Sequence, residues 1–378
     1  MGLDRKVIVT TSRNKQTMTI FIFQAVLLGA VMILFARRSN RYDLYLSLFA
    51  VVWTFAVIVI RIIYGVDHAA FYSSDQGTQI VLLNQFIDEG VSLSLDRIIG
   101  GRYIIVAPVW LLNTIGFDAL LAFKFFQALS LLFTYRVCSD FIRSQEVRLK
   151  LWHVVLFSGP LFIFLSTLGL RDLQIVLCVS YFYLGRVPLL RFVALGVSAL
   201  LRPHLTVALI FAWLVGQWLK RHPLKQTPVA LIAITVAVFV AGGFGFALGG
   251  FFKYKNNYVS PKLFTQAAWW RFFANLLGLQ FLTFGRDVVK LTVPQLLALR
   301  LFFVDTFMIP ILFIVTLLNN KLAYSALRIE VFVAFVFFLG LVSQTNFNSS
   351  RQNLPFLSIM GVLALLGILQ SRKLDAEN

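Results

Sequence analysis

Long apolar runs separated by short polar turns are the dominant pattern along this 378-residue chain. A helix of about 20 apolar residues crosses a bilayer, and runs near that length recur through most of the sequence. The pattern therefore predicts an all-α polytopic membrane protein with about eleven transmembrane helices, within a range of about 9–13. The predicted spans cover residues 18–36, 44–64, 117–137, 151–168, 172–184, 188–201, 204–219, 228–251, 296–318, 329–342 and 354–369.

Two longer polar segments interrupt this pattern, at residues 65–102 and 252–294. Neither is long enough for a separate soluble domain, so we predict one membrane-embedded domain over residues 1–378 with two large loops. Residues 103–116, which contain Pro108, are apolar but too short to cross a bilayer. They predict an interfacial or re-entrant helix beside the first loop.

The charge balance assigns a side of the membrane to these loops. The 34 basic and 16 acidic residues give a net charge of +18, which in so apolar a chain indicates anionic lipid headgroups rather than nucleic acid. Alternate short turns, at 37–41, 139–150 with the adjoining Arg136, 186–191, 220–225 and 319–328, hold most of the short-loop arginines and lysines together with the C-terminal residues. The positive-inside rule places these turns in the cytoplasm and both large loops outside. The basic residues before position 16 oppose this assignment: either the first span does not fully cross or the N-terminus breaks the rule.

An acidic stretch in the first loop is the best candidate for catalytic chemistry. Four of the sixteen acidic residues lie within residues 65–90, among them Asp67 and Asp75. Ser73 and Gln76 have the spacing of a helix-capping box, and Gly90 is a suitable stop, so the stretch predicts an amphipathic interfacial helix. Asp75 in its first turn would be held ionised by the helix dipole and would serve as a general base. The alternative is that Asp75 caps the helix and Asp67 is a solvated loop residue.

Arginines occupy three predicted outer turns. They are Arg171, Arg202 with His204 beside it, and Arg351. A guanidinium matches phosphate oxygens, so converging turns would bind a phosphate or pyrophosphate group. The alternative is that these side chains reach lipid headgroups or form a structural Arg171–Asp172 pair.

The second loop is basic and aromatic. Lys253, Lys255 and Arg271 are candidate donor-binding residues, beside a Trp269–Trp270 pair. The tryptophans fit either an interfacial belt or a lid that stacks on a sugar. The glycines just before this loop, with a GxxxG spacing at Gly245 and Gly249, predict a close helix contact or a hinge. The sequence indicates no metal site and no cofactor.

The order of these features resembles the GT-C superfamily of membrane glycosyltransferases. The resemblance rests on Asp75-Gln76 followed by Gly90, the proline-containing segment 103–116, the Leu-Arg-Asp turn at 170–172, the Leu-Arg-Pro turn at 201–203 and Arg351 before Pro355. It covers about residues 44–370, with an additional first span and without a large C-terminal outer domain.

The resemblance implies a polyprenyl-phosphate sugar donor, a glycan or lipid-linked acceptor and transfer with inversion. Asp75 or Asp67 would act as base, and the arginines, His204 and the second-loop cations would stabilise the leaving phosphate. The expected protein is a monomer in a bacterial inner membrane with its site facing the periplasm. The alternatives are an O-antigen or capsule repeat-unit polymerase and a lipid-linked-sugar flippase or transporter.

Overall fold

The computed structural model describes residues 22–24, 26–27, 29–30, 74–88, 102–117, 119–145, 162, 171–221, 228–248, 264–277, 307–318, 325–344 and 350–377. Within these ranges every regular element is helical. In chain order the helices are α1 Ser74–Asp88, α2 Arg102–Thr114, α3 Ala119–Arg143, α4 Asp172–Leu184, α5 Pro188–Leu201, α6 Pro203–Arg221, α7 Pro228–Leu248, α8 Gln266–Leu276, α9 Ile309–Leu317, α10 Ser325–Ser343 and α11 Ser350–Glu377.

The helix boundaries follow local sequence signals. Pro188, Pro203 and Pro228 each stand at the first helical position, where the missing N–H costs nothing and the fixed φ suits a helix. The helices at 172–184 and 188–201 have the predicted bounds, and the helix predicted in the acidic loop is present as α1. The predicted spans 44–64 and 151–168 lie outside the described residues, except for Phe162.

Among the residues that the structure describes, two helices are long and apolar enough to cross a membrane, over residues 326–343 of α10 and 353–371 of α11. The predicted number of about eleven crossings is not confirmed. The helices α4 and α5 have 13 and 14 residues, which at about 1.5 Å per residue gives a rise of roughly 20 Å against a hydrocarbon core of about 30 Å.

The centre of the fold is α10. Every described residue from 330 to 344 is buried, as expected for a helix that is apolar on all sides. It packs against α6, α7 and α8. The α7 crossing is tight at Gly242 and Gly340: a Cβ on Gly340 would lie 3.0 Å from the Cα of Gly242. The close helix contact predicted from the glycines before the second loop is therefore present at Gly242, and a Cβ on Gly245 would lie 3.4 Å from the Phe337 ring of α10. Gly249 lies outside the described residues.

A second layer forms around α4. It packs between α3, α5 and α11, and α11 in turn covers α9. Most α4 side chains are buried, and Ser180 of α4 shares a hydrogen bond with Ser358 of α11, 3.0 Å apart. The contact between α10 and α11 joins this layer to the first.

The outer helices expose apolar side chains instead of polar ones. On α6 the exposed Val207, Ile210, Trp213, Leu214 and Trp218 repeat at helical spacing and form one stripe. Exposed leucine, phenylalanine, isoleucine and valine side chains continue this surface on α5 and α7. The interior meanwhile holds arginine, aspartate and glutamine side chains.

The polar side chains gather at two ends of the bundle. We call the end where α4 and α6 begin and α5 and α10 finish the Arg202 end. At the opposite end, Arg186 donates a hydrogen bond to the carbonyl of Asp140 at 2.9 Å. The predicted turns therefore meet in their described parts: Asp172 lies beside Arg202 at one end, and Asp140 lies beside Arg186 at the other.

Candidate anion-binding site at the Arg202 end

Arg202 alone separates α5 from α6. Its backbone N–H donates to the carbonyl of Ser198 at 2.7 Å and closes α5, and its own carbonyl accepts from Leu205 N at 3.0 Å to start α6. Thr206 also donates to the hydroxyl of Ser198 across the turn, at 3.0 Å. These bonds fix the backbone from which the guanidinium extends, so its position is set by both helices.

The guanidinium of Arg202 forms a buried ion pair with Asp172. Nη2 lies 3.1 Å from Oδ1, and the side chains are only 5% and 2% exposed. Asp172 begins α4, so the helix dipole also favours its carboxylate. Asp172 thus has a cationic partner in a second turn, which the sequence did not indicate. Because Asp172 balances part of its charge, Arg202 acts first as a clamp between α4 and the α5–α6 turn.

His204 lies one residue inside α6 and stacks on Phe338 of α10. The ring centroids are 5.8 Å apart, with 14° between the planes. Phe338 also contacts Phe356 near the start of α11, at 5.5 Å. The first turns of α6 and α11 are therefore held against the same part of α10.

Arg271 approaches the end of α10 from α8. Its Nε donates to the carbonyl of Ser343 at 2.8 Å, and the next residue, Gln344, accepts from the N–H of Phe264 at 2.9 Å. Partial burial lowers the pKa of Arg271 from its ordinary value, yet an arginine stays charged at neutral pH. Its Nη2 makes no hydrogen bond to any residue that the structure describes. One nitrogen thus positions the side chain, while the buried Nη2 is a donor without an acceptor among the described residues.

The position of Arg271 is also secured by aromatic packing. Trp269, Phe272 and Phe264 gather around Phe239 of α7, with Phe272 at a centroid distance of 4.2 Å. Phe264 has a positive φ of 53°, the left-handed region that disfavours a large residue. The hydrogen bond from its N–H to Gln344 helps to hold this conformation.

The sequence pattern did not single out Lys124 and Gln127, which are buried polar residues at this end of the bundle. Lys124 and Gln127 are buried on one face of α3, inside a stretch predicted as an apolar span. Gln127 accepts a hydrogen bond from the N–H of Leu173, in the first turn of α4, at 3.2 Å. An amine and an amide within an apolar run were the available signal, because such groups are costly in a membrane interior and tend to mark function.

The structure locates the helix that carries the proposed base, Asp75, but does not describe its side chain. Asp75 is the second residue of α1, which packs on α2, and Phe86 meets Trp110 with ring centroids 5.6 Å apart. Leu83 and Phe86 are buried as the amphipathic pattern predicts, whereas Ile87 is exposed. Since α2 leads into the beginning of α3, α1 is attached to the Arg202 end of the bundle.

The remaining candidates lie outside what the structure describes. Asp67, Lys253 and Lys255 are in ranges that are not described. Arg351 is in the first turn of α11, and its side chain, like that of Asp75, is outside the description. Among the described residues no group of three or more His, Cys, Asp or Glu side chains is arranged to hold a metal ion.

The described cations suit an anion rather than a metal. Arg171, Arg202 and Arg271 lie at one end of the bundle, where Asp172 pairs with Arg202. Planar guanidinium groups bind phosphate oxygens through paired hydrogen bonds. The arrangement can therefore stabilise a phosphate, whether as a bound group or as a leaving group.

No protein-family model, curated protein or solved structure matches this chain.

Proposed function

We propose that this protein is a membrane glycosyltransferase that uses a polyprenyl-phosphate sugar as donor. Its acceptor is a cell-envelope glycan or a lipid-linked saccharide. The observation that carries the proposal is the gathering of Arg171, Arg202, His204 and Arg271 around one end of α10, the end to which the helix of Asp75 is attached.

The apolar exterior supports a multi-pass membrane location. Phe192 of α5 is 66% exposed, and comparable side chains follow on α6 and α7. In water such a surface would be an aggregation hazard, whereas in a bilayer it meets acyl chains. Apolar side chains on the outside of α5, α6 and α7, together with a few ionic side chains inside an otherwise apolar core, are the distribution expected of a helical bundle in lipid.

The arginine half of the site would handle the leaving group. When the sugar's anomeric carbon leaves polyprenyl phosphate, negative charge grows on the phosphate oxygens. Cations fixed in advance at that point stabilise the transition state more than the ground state. Arg202 is fixed by Asp172 and Arg271 by Ser343, so neither needs to reorganise during transfer.

The carboxylate half would activate the acceptor. Asp75 in the first turn of α1 takes a proton from an acceptor hydroxyl, and the oxygen attacks the anomeric carbon from the opposite side to the phosphate. This gives inversion in one displacement, with the electron pair of the broken C–O bond passing to the phosphate. Asp67 is the second candidate for the same role.

The test is sugar transfer in membranes prepared from cells that express each variant, supplied with a panel of radiolabelled polyprenyl-phosphate sugars. We expect Asp75→Asn to reduce transfer by about 100-fold or more, the scale of a lost general base. The matched control is Asp88→Asn, which removes an exposed carboxylate at the far end of the same helix and should leave transfer unchanged. Full transfer by both Asp75→Asn and Asp67→Asn, at equal membrane abundance, would refute the general-base role.

A repeat-unit polymerase is the second candidate. The described cations by themselves suit two lipid pyrophosphates, and that activity needs arginines without a carboxylate base. The same variants separate the two: a polymerase keeps activity in both aspartate variants and loses it in Arg271→Gln. Its assay is the length distribution of lipid-linked polysaccharide on a gel.

A further inference from the structure

Arg328 is the largest fully buried side chain in the described part of the protein. The sequence pattern predicts that it belongs to a cytoplasmic turn at 319–328. In the structure it lies instead inside the first turn of α10, only 1% exposed. Ser343, which Arg271 contacts, is 15 residues further along α10, a distance of roughly 22 Å at 1.5 Å per residue. Arg328 therefore belongs to the opposite end of the bundle from the Arg202 site.

The guanidinium of Arg328 makes no hydrogen bond to any described residue. Nε, Nη1 and Nη2 are all buried and all lack a described partner. A buried charge without hydrogen bonds is among the most costly arrangements in a folded protein, so such groups pair or bind a ligand. Arg202 shows the usual solution in this same chain, with a carboxylate at 3.1 Å.

The surroundings of Arg328 leave room for its head group. A Cβ on Gly367 of α11 would lie 3.3 Å from Nη2 and 2.7 Å from Cγ2 of Thr316, the next-to-last residue of α9. Glycine at 367 thus lets three helices close around the guanidinium. One turn along the same face of α11, Gln370 has a buried Oε1 that also lacks a described hydrogen-bond partner.

We propose that Arg328 binds a phosphate group at this end of the bundle. The ligand is either the headgroup of an anionic phospholipid or a free inorganic phosphate, since both present the same oxygens. The guanidinium offers two parallel N–H donors to a phosphate, and the N-terminus of α10, one turn away, adds a favourable dipole. The amide of Gln370 supplies a further donor once rotated, because amide oxygen and nitrogen are interchangeable in position. The site is separate from the proposed transferase site and stands without it.

The test is the melting temperature of the full-length protein purified in neutral detergent and washed free of lipid. Four conditions are compared: no addition, inorganic phosphate, phosphatidylglycerol and diacylglycerol, which lacks phosphate. We expect wild type to melt a few degrees higher with a phosphate-bearing addition, as binding to the folded state alone requires. A rise with inorganic phosphate identifies a free anion, and a rise with phosphatidylglycerol alone identifies a lipid headgroup.

Arg328→Gln should abolish this rise in melting temperature. Arg328→Lys keeps the charge but loses the paired N–H donors of the guanidinium, so it should need a higher phosphate concentration to reach half of the rise. The matched control is Arg186→Gln, an exposed arginine at the same end of the bundle. It should keep the full rise. An unchanged rise in Arg328→Gln, or no rise in wild type under any condition, overturns the proposal.

A third result would also overturn it. If Arg328→Gln lowers the melting temperature equally in all four conditions, the guanidinium is held by groups of the chain itself. If Arg328→Gln yields no folded protein, Arg328→Lys decides: half-saturation at the same phosphate concentration as wild type contradicts the proposed site.

Discussion

Breaking the Arg202–Asp172 pair should destabilise the fold far more than its single ion pair suggests. Arg202→Met removes this ion pair from the buried Asp172 carboxylate, and Asp172→Leu removes it from the buried Arg202 guanidinium. The double variant removes both charges. We therefore expect each single variant to be much less stable than the double variant. The loss of stability in the double variant should be far smaller than the sum of the two single losses.

The magnitude follows from the geometry. Two unit charges 3.1 Å apart interact by about 5 kcal/mol at an effective dielectric constant of 20 and about 1.3 kcal/mol in water. Removing one partner of a buried pair costs about 3–5 kcal/mol, whereas replacing both by apolar side chains is often close to neutral. The coupling energy from the cycle should therefore be at least about 2 kcal/mol.

The assay is equilibrium unfolding of the four proteins in mixed micelles, with the free energy of unfolding measured for each. Arg186→Gln is the control, because Arg186 is exposed and bonds to a backbone carbonyl of Asp140; its loss should cost no more than about 1 kcal/mol. Additive effects, with a coupling energy below about 0.5 kcal/mol, would refute the buried clamp.

Two further predictions test the surface and the core. Phe192→Asp places a charge on the exposed apolar face of α5 and should lower the membrane-integrated fraction, by up to about 3 kcal/mol of insertion free energy, whereas Phe192→Leu should not; equal integration of both variants would argue against lipid contact. Gly242→Ala should reduce folded yield on size-exclusion chromatography, since the added Cβ would overlap the carbonyl of Phe337, while Gly196→Ala, where a Cβ meets nothing within 4 Å, should be neutral or slightly stabilising. A stable Gly242→Ala variant would mean that α7 and α10 can separate without cost.

Local signals along the chain were sufficient for several of the helices, whereas α8 lies inside a segment predicted as a loop. Proline at 188, 203 and 228 sets three starts, and the acidic stretch forms α1 as its capping residues predict. Alternation of direction between successive helices then brings the turns at 170–172 and 201–204 to one end. These features depend on near neighbours in sequence, so the sequence determines them.

Partners across the bundle were decided only by tertiary structure. Arg202 pairs with Asp172, which is 30 residues away in the sequence. Gly242 meets Gly340 at the tightest point of the crossing between α7 and α10. Such choices depend on the rotation and depth of each helix, and no single segment encodes these.

The face that each helix turns inward is the clearest case. Both α5 and α10 are strongly apolar, yet α5 exposes phenylalanine and leucine while α10 is buried on every side. Where a helix is apolar all round, the pattern has no polar face from which to infer its orientation. The burial of Arg328 could not be inferred from the sequence either. Its sequence position indicates a polar turn, and only the packing of α9, α10 and α11 around it makes it a buried cation.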